Sequence, residues 1–484
     1  MLLKELLKDI YRGEIDPRAG QMDISSVSCD SRKVEKDSLF VALKGSRFDG
    51  TEFIVEAVNQ GARVVVGQHR PRAGHGKDVL FLQVEDSFVF LREIVKRFYG
   101  PFSSQVRCIG ITGTNGKTTI TYLMESILKE AGEDCGVMGT VNYRIGKDVI
   151  PSPNTTPDFV EIHRFLTQLH SRRIRYCVME VSSHGLAQGR VDLIDFKAAV
   201  FTNLTSDHLD YHGTRENYFL AKAKLFTSLS ASGVSVINTD DDYACRLSAM
   251  TKSKITTYGM EKRADVMAED IQSNIQGSWF TLSSPQGRIA IRTKLIGRHN
   301  IYNILAAAAA CLAEGIPPAA VQKGIERLAH VPGRLENVDT GRNFSVFIDY
   351  AHTEDALKNV LEALRQVSEA RVIVVFGCGG DRDKTKRPQM GKVAAQLADM
   401  AIVTNDNPRS EDPQSIMDQI ISGFSKKNYQ VIPSREEAIR KAVGMAKTRD
   451  VVLIAGKGHE GYQIFKDKTV PFNEREIVER CLRS

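Results

Sequence analysis

The chain opens with "MLLKELLKDIYRGE", where Leu3, Leu6, Leu7 and Ile10 recur at helical spacing between charged residues. That spacing predicts an amphipathic surface helix rather than a signal peptide. Up to residue 100, short apolar runs ("SLFVALKG", "ARVVVG", "VLFLQV") alternate with helical stretches, so a small α/β unit is expected, with "YGPFSS" as its exit linker. From "VRCIGIT" to residue 330 the pattern becomes repeated strand–helix units. Their last helix is "NILAAAAACLAEG", with Gly315 at its stop position. "HVPGRLE" reads as a second linker. After it come "FSVFIDYA", "ARVIVVFGCGG", "MAIVTND" and "VVLIAGKG", each followed by a helical stretch. Continuous apolar runs of this kind are buried parallel strands, which predicts a doubly wound third domain.

Length supports that division. A chain of 484 residues is too long for one ordinary core, and three domains are expected, spanning 1–100, 101–330 and 331–484. Hydrophobic residues at 42% and charged residues at 26% are ordinary for a soluble globular protein. The formal charge of +6 leans towards anionic small molecules and lacks the basic stripe of a nucleic-acid binder. Eight scattered cysteines without a CxxC pair read as free thiols in a reducing compartment. No apolar run reaches the ~20 residues of a membrane span. A cytoplasmic protein is expected.

Chemistry concentrates in a few stretches. "GITGTNGKTT" follows a strand and precedes a helix, the placement of a phosphate loop. Backbone N–H groups of Gly113, Thr114, Asn115, Gly116 and Thr119 would approach phosphates, Lys117 supplies a point charge and Thr118 a hydroxyl for magnesium. The spacing departs from the usual phosphate loop, since Gly113 precedes Gly116 by three positions. A Gly-rich turn without a ligand is the alternative. Glu180 ends the apolar run "RYCVME", as either a solvated strand end or a magnesium ligand. "FTNLTSDHLDYHG" gathers Asp207, His208, Asp210 and His212; a polar active-site loop fits better than zinc, because no cysteine or HxxxH partner accompanies the histidines. In "TRENYFLAKAKLF", Lys222 has Tyr218, Phe219, Leu225 and Phe226 three and four residues away, so it sits on the apolar stripe. It either snorkels to water or is a buried amine neutral often enough to react with carbon dioxide.

"TGTNGKTT" resembles the loop of the Mur ligase family, ATP-dependent amide-forming enzymes that include folylpolyglutamate synthetase. The resemblance spans the chain and implies its three-domain plan: a UDP-binding α/β domain, a central ATPase-like parallel sheet and a Rossmann-like C-terminal domain. "DHLDYH…Y..AK..LF" matches the family's carbamylated-lysine segment at Lys222, and Glu180 and His208 fall on magnesium-associated positions. "CDSRKVEKDSLFVALKGSRFDG" resembles the UDP-binding domain, with Ser31 as a polar contact; Thr51 stands where His is frequent. By the same resemblance Asn154, Thr155, Thr156, Ser182, Gln188 and Arg190 grip the muramoyl peptide. Asn300 in "IGRHNIYN" reads adenine, Arg334 in "VPGRLE" serves the transferring phosphoryl group, and Asp349 and His352 in "IDYAHTEDAL" contact ribose and phosphate. His299 and Glu354 depart from the usual Phe and Pro.

"TNDNPRSEDP" places Asp406, Asn407, Pro408 and Arg409 at a strand end, where open α/β sheets bind ligands. With Arg382, Gly456 and Glu460 they form a mixed-charge set suited to a zwitterion. The family's diaminopimelate-adding members carry DNPR here, and lysine-adding members generally lack that Arg. The implied activity is ATP-dependent addition of meso-diaminopimelate to the D-Glu side-chain carboxylate of UDP-N-acetylmuramoyl-L-Ala-D-Glu, through an acyl phosphate. The alternatives are a lysine-adding ligase and, more distantly, folylpolyglutamate synthetase. Magnesium and a carbamate on Lys222 are the implied cofactors, and a monomer without nucleic-acid or membrane partners is expected.

Overall fold

The computed structural model describes residues 1–45, 49–70, 79–100, 105–205 and 207–483. The expected linker "YGPFSS" falls mainly on 101–104, and Ser46–Phe48 of the first-domain motif are also among the rest, so both lie outside the described residues. The chain forms two compact units: residues 1–108, 157–177 and 188–195, and residues 109–156, 178–187 and 196–484.

The first unit carries a parallel sheet in the order Val27–Ser28, Ser38–Val41, Ala62–Gly67, Leu80–Gln83. The opening stretch is helical over Leu3–Leu7, shorter than its pattern suggests, and buries Leu3, Leu6 and Leu7. These pack with Leu39, Val41, Val64 and Val66 of the sheet and Leu91, Ile94 and Val95 of the helix Ser87–Tyr99. Each such side chain contributes roughly 1.5–3 kcal/mol through burial. Asp86 caps that helix by accepting from the Phe88 and Val89 amides.

Two large sheets organise the second unit, beside a two-stranded antiparallel pair, Tyr462–Phe465 with Lys468–Pro471, among the described residues. The larger has eleven strands among the described residues, with Phe196–Phe201, Arg107–Thr112 and Tyr176–Glu180 adjacent near its middle. As expected, the strands from Phe196–Phe201 through Val234–Asn238 and Lys254–Gly259 to Val266–Asn274 pair in parallel, and both edges add antiparallel strands. Val266–Asn274, Gly277–Ser284 and Gly287–Thr293 form an antiparallel meander at one edge, and Asn142–Ile145 pairs antiparallel with both Cys135–Met138 and Asp148–Pro151 at the other. The helix Arg298–Ala313 stops before Gly315 (φ +83°) as predicted, but it is not the last before 330, because Pro318–Arg327 follows.

The second sheet runs 336–338, 345–349, 451–455, 372–376, 400–403, 429–431. All pairs are parallel except the first, an antiparallel edge strand. Both faces are covered. Val372, Val374 and Phe376 enter one core, while Ile373 and Val375 enter the other. That two-sided burial is why these strands read as unbroken apolar runs. Asp349, Phe376, Val403 and Ala455 end their strands on the same edge, and the loops beyond them carry the polar residues discussed next.

Candidate active site

The strand Arg107–Thr112 delivers the chain into Gly113, and the helix Lys117–Glu130 starts directly after Gly116. Gly113 has φ +148°, and a Cβ there would overlap the Thr202 hydroxyl. Gly116, at φ +91°, lies against the Asn303 amide in the same way. Only glycine permits both the left-handed backbone and the close approach, so the loop is a tight shell held by its neighbours. The Lys117 ammonium turns back onto the carbonyls of Gly113 (2.8 Å) and Thr114 (2.7 Å), and burial lowers its pKa.

A cavity of about 580 Å³ opens over this loop, a size suited to a small-molecule ligand. It is lined by Thr114–Thr119, Thr155, Glu180, His208 and Asn300, and from the second sheet by Arg334, Asp349 and His352. Glu180 is 1% exposed and accepts from the Thr140 amide (2.8 Å) and hydroxyl (2.9 Å), so it is a fixed carboxylate rather than a solvated strand end. The Arg334 guanidinium lies over the Tyr350 ring (4.6 Å) and donates to the Thr118 hydroxyl (3.3 Å). Asp349 accepts the Leu335 and Ala351 amides, and burial raises its pKa. Burial lowers that of His352, whose Nδ1 lies 2.9 Å from the Tyr350 carbonyl oxygen. The Asn300 amide is held within its own helix region, donating to Ile296 O (2.9 Å) and accepting from Asn303 (3.1 Å). Asp355, unremarked in the sequence, accepts from Asn115 Nδ2 (2.9 Å) and Thr205 Oγ1 (3.3 Å), and so ties the second sheet's first helix to the phosphate loop.

Lys222 does not snorkel. It is 2% exposed, with Tyr218, Phe219, Leu225 and Phe226 buried around it while Lys224 faces solvent. Its Nζ donates to the Gly113 carbonyl (2.8 Å), the oxygen that also receives Lys117. Burial, then the Lys117 charge, pushes its pKa well below the usual lysine range. His208 has a left-handed backbone (φ +54°) and a half-exposed ring. Among the described residues no three His, Cys, Asp or Glu side chains converge as a metal cluster. The oxygen donors Thr118 and Glu180 nevertheless line the cavity together, a hard set that fits magnesium.

The chain matches the models of the Mur ligase family catalytic domain over residues 23–99, the Mur ligase middle domain over 111–311 and the Mur ligase glutamate ligase domain over 333–458. It is 43% identical to the UDP-N-acetylmuramoyl-L-alanyl-D-glutamate–2,6-diaminopimelate ligase of Clostridium tetani, across 100% of this chain and 99% of that one. The chain belongs to the Mur ligase family. A similarly named ligase of Geobacillus thermodenitrificans is 45% identical, across 96% of each chain. A solved structure of a ligase of that name superposes with a TM-score of 0.66 at 33% identity, covering 100% of this Mur ligase and 99% of that chain.

The remaining expected residues of this Mur ligase fall in three places. Ser31, Gln188 and Arg190 lie in the first unit. The Ser31 hydroxyl donates to Glu56 (2.6 Å), and Gln188 Oε1 accepts from Arg190 Nε (2.9 Å). Asn154, Thr155, Thr156 and Ser182 lie in the second unit. Thr156 Oγ1 donates to the Glu180 carbonyl (2.9 Å) and Thr155 meets the Thr140 hydroxyl (3.0 Å), so Thr140 joins this stretch to the Glu180 carboxylate. Thr155 does not cap the following helix; Asp158 does.

Around the second sheet's edge, Asp406 and Asn407 are buried, and Asp406 Oδ2 has no partner among the described residues. A Cβ at Gly456 (φ +120°) would press on that oxygen. Arg409 has φ +51°; its amide donates to Ile464 O (3.1 Å) and its Nη1 to Gly380 O (2.8 Å). Arg382 is exposed on the neighbouring loop. Sequence reasoning missed Thr140, Asp355 and Lys457. The first two had a visible signal, a polar residue directly after a strand turn and an acid in a helix's first turn.

Proposed function

We propose that this Mur ligase joins meso-diaminopimelate to the D-Glu side-chain carboxylate of UDP-N-acetylmuramoyl-L-Ala-D-Glu, converting ATP to ADP and phosphate. The observation that carries this reading is end-to-end similarity, at 43% and 45% identity, to ligases named for that reaction. The domain boundaries are placed near residues 100 and 330, and the enzyme is read as a cytoplasmic monomer. No helix among the described residues is long and apolar enough to cross a membrane.

A carboxylate is a poor electrophile because it would have to expel oxide. Transfer of the ATP γ-phosphoryl group to it releases ADP and gives an acyl phosphate. The amine then attacks the carbonyl carbon, loses a proton, and the tetrahedral intermediate expels phosphate to leave the amide. In this assignment Lys117 and Arg334 face the charge on the transferring phosphoryl group, and the Gly113–Thr119 amides hold the phosphates. Asn300 contacts adenine, and Asp349 and His352 contact ribose and phosphate. Asp349 keeps lone pairs for this beyond the two amides it already accepts.

Thr118, Glu180, His208 and Lys222 as a carbamate would hold magnesium, which supplies positive charge to phosphate oxygens. The burial of the Lys222 amine, without a carboxylate partner among the described residues, favours the neutral form that adds to carbon dioxide with loss of a proton. Ser31, Asn154, Thr155, Thr156, Ser182, Gln188 and Arg190 are assigned to the UDP-muramoyl dipeptide. Arg382, Asp406, Asn407, Pro408, Arg409, Gly456 and Glu460 are assigned to the incoming amino acid. ADP release should require UDP-muramoyl dipeptide and diaminopimelate together, with little turnover when lysine replaces diaminopimelate. Equal rates with the two amino acids would defeat the assignment.

A further inference from the structure

Beneath the loop Thr404–Pro413 lies a lysine that the mechanism above does not use. Lys457 is 0% exposed. Its ammonium donates to Glu460 Oε2 (2.8 Å) and Asn407 Oδ1 (3.0 Å). Asn407 Nδ2 donates to that same Glu460 oxygen (2.9 Å), which closes a triangle of three side chains. The Ile464 amide also donates to Asn407 Oδ1 (3.0 Å), so the carboxamide cannot turn over without losing three bonds. The triangle is stitched further. Gln463 Nε2 donates to the Asp406 carbonyl (2.8 Å), and the Arg409 amide pairs with Ile464 O (3.1 Å).

These contacts have a directional consequence. Both donors converge on Glu460 Oε2, and Oε1 has no partner among the described residues. The Glu460 side chain is 17% exposed, whereas its lysine partner is sealed. Asn407 is fixed two residues before Arg409, so the same cation sets the start of the segment that aims the guanidinium. A buried ion pair is weak evidence for stability, since desolvation offsets most of its attraction. Holding a carboxylate and a carboxamide in one orientation is what an amino-acid site needs, because small misplacements are costly.

We propose that Lys457 is a positioning residue for amino-acid selection, presenting Glu460 Oε1 to the ligand's ammonium and anchoring Asn407 so that Arg409 meets its far carboxylate. This rests on the amino-acid site proposed above. The test is steady-state kinetics on the full chain with Lys457→Met, Glu460→Gln and the double variant, varying each substrate in turn. Lys457→Met should raise the KM for diaminopimelate roughly 10- to 100-fold, the loss expected for a hydrogen bond to a charged group. The KM for ATP should stay within about 2-fold, because the ATP groups do not pass through this triangle. Because Lys457 acts partly through Glu460, the double variant should lose less diaminopimelate affinity than the sum of the two single losses.

A lowered Tm with an unchanged diaminopimelate KM, equal rises in both KM values, or fully additive losses would overturn the proposal. If Lys457→Met does not fold, Lys457→Gln, which keeps a donor without the charge, is read against the same outcomes. Arg409→Ala separates the two levels. If it leaves discrimination against lysine intact, the amino-acid site itself is misplaced; if it abolishes discrimination while Lys457 variants behave as wild type, only the positioning role fails.

Discussion

Lys222 and Lys457 are both sealed from solvent, at 2% and 0% exposure, yet they lie among opposite partners. Lys457 donates to a carboxylate and a carboxamide oxygen. Lys222 meets one backbone carbonyl and the Tyr218 ring (4.4 Å), and shares that carbonyl with the second cation Lys117. Burial penalises charge in both places; Lys457 has a carboxylate in direct contact, whereas for Lys222 the pull of Asp207 is outweighed by burial and the Lys117 charge. The difference separates a lysine whose surroundings favour the free amine from one held by a carboxylate and a carboxamide.

The largest expected effect follows from removing Lys222, the lysine proposed to carry the carbamate. Lys222→Ala should lower turnover by roughly 10²–10³-fold, the scale of losing one electrostatic stabiliser. Added formate or acetate should restore part of it. Full activity without rescue would remove the carbamate from the mechanism.

Stability should separate the two lysines by sign. In carbon-dioxide-free buffer near neutral pH, the unfolded chain carries Lys222 charged while the fold depresses its pKa. Stability is therefore lost as pH falls from the ordinary lysine pKa towards the folded one, and this loss is already present at neutral pH. Lys222→Met should remove it and raise Tm. Lys457→Met leaves Glu460 without its ion pair and should lower Tm, with breakage of a buried pair costing about 3–5 kcal/mol. Thermal shifts of the same sign would break the comparison.

A smaller effect tests the principle in the first unit. His163 is 5% exposed, packs against Phe159 (4.8 Å), and has no partner at Nε2 among the described residues. Burial lowers its pKa to about 4. The fold therefore loses stability as pH drops from the ordinary histidine value of about 6.5 towards about 4, with His163 contributing on the order of 3 kcal/mol. His163→Phe should flatten that part of the acid unfolding profile, and an unchanged slope would contradict the assignment.

The sequence showed Lys222 because its neighbours are local: helical spacing alone puts it beside Tyr218, Phe219, Leu225 and Phe226. It hid Lys457 because the partner Asn407 is fifty positions away on another strand end, joined only by the sheet. The parallel strands of the second sheet were legible because both faces are apolar. The meander over 266–293 was overlooked although "GRIAIRT" alternates with a buried Ile289, Ile291 and Thr293, because the expected strand–helix rhythm absorbed a period-two signal. The strand–loop–helix placement of "GITGTNGKTT" was legible despite its short spacing, since a strand, two glycines and a helix start are all local features. Which oxygen each glycine approaches depends on Thr202 and Asn303, distant in the chain.

The central claim is that the chain activates a carboxylate at one end of its second unit and selects the amine at the edge that carries Arg409. The ratio of kcat/KM for diaminopimelate to that for lysine, measured in the wild type and in Arg409→Ala, tests it most directly. Loss of a charge-assisted fork should collapse the ratio by roughly 10- to 100-fold while leaving the KM for ATP nearly unchanged. A ratio that survives the substitution, or one already near unity in the wild type, would contradict the account.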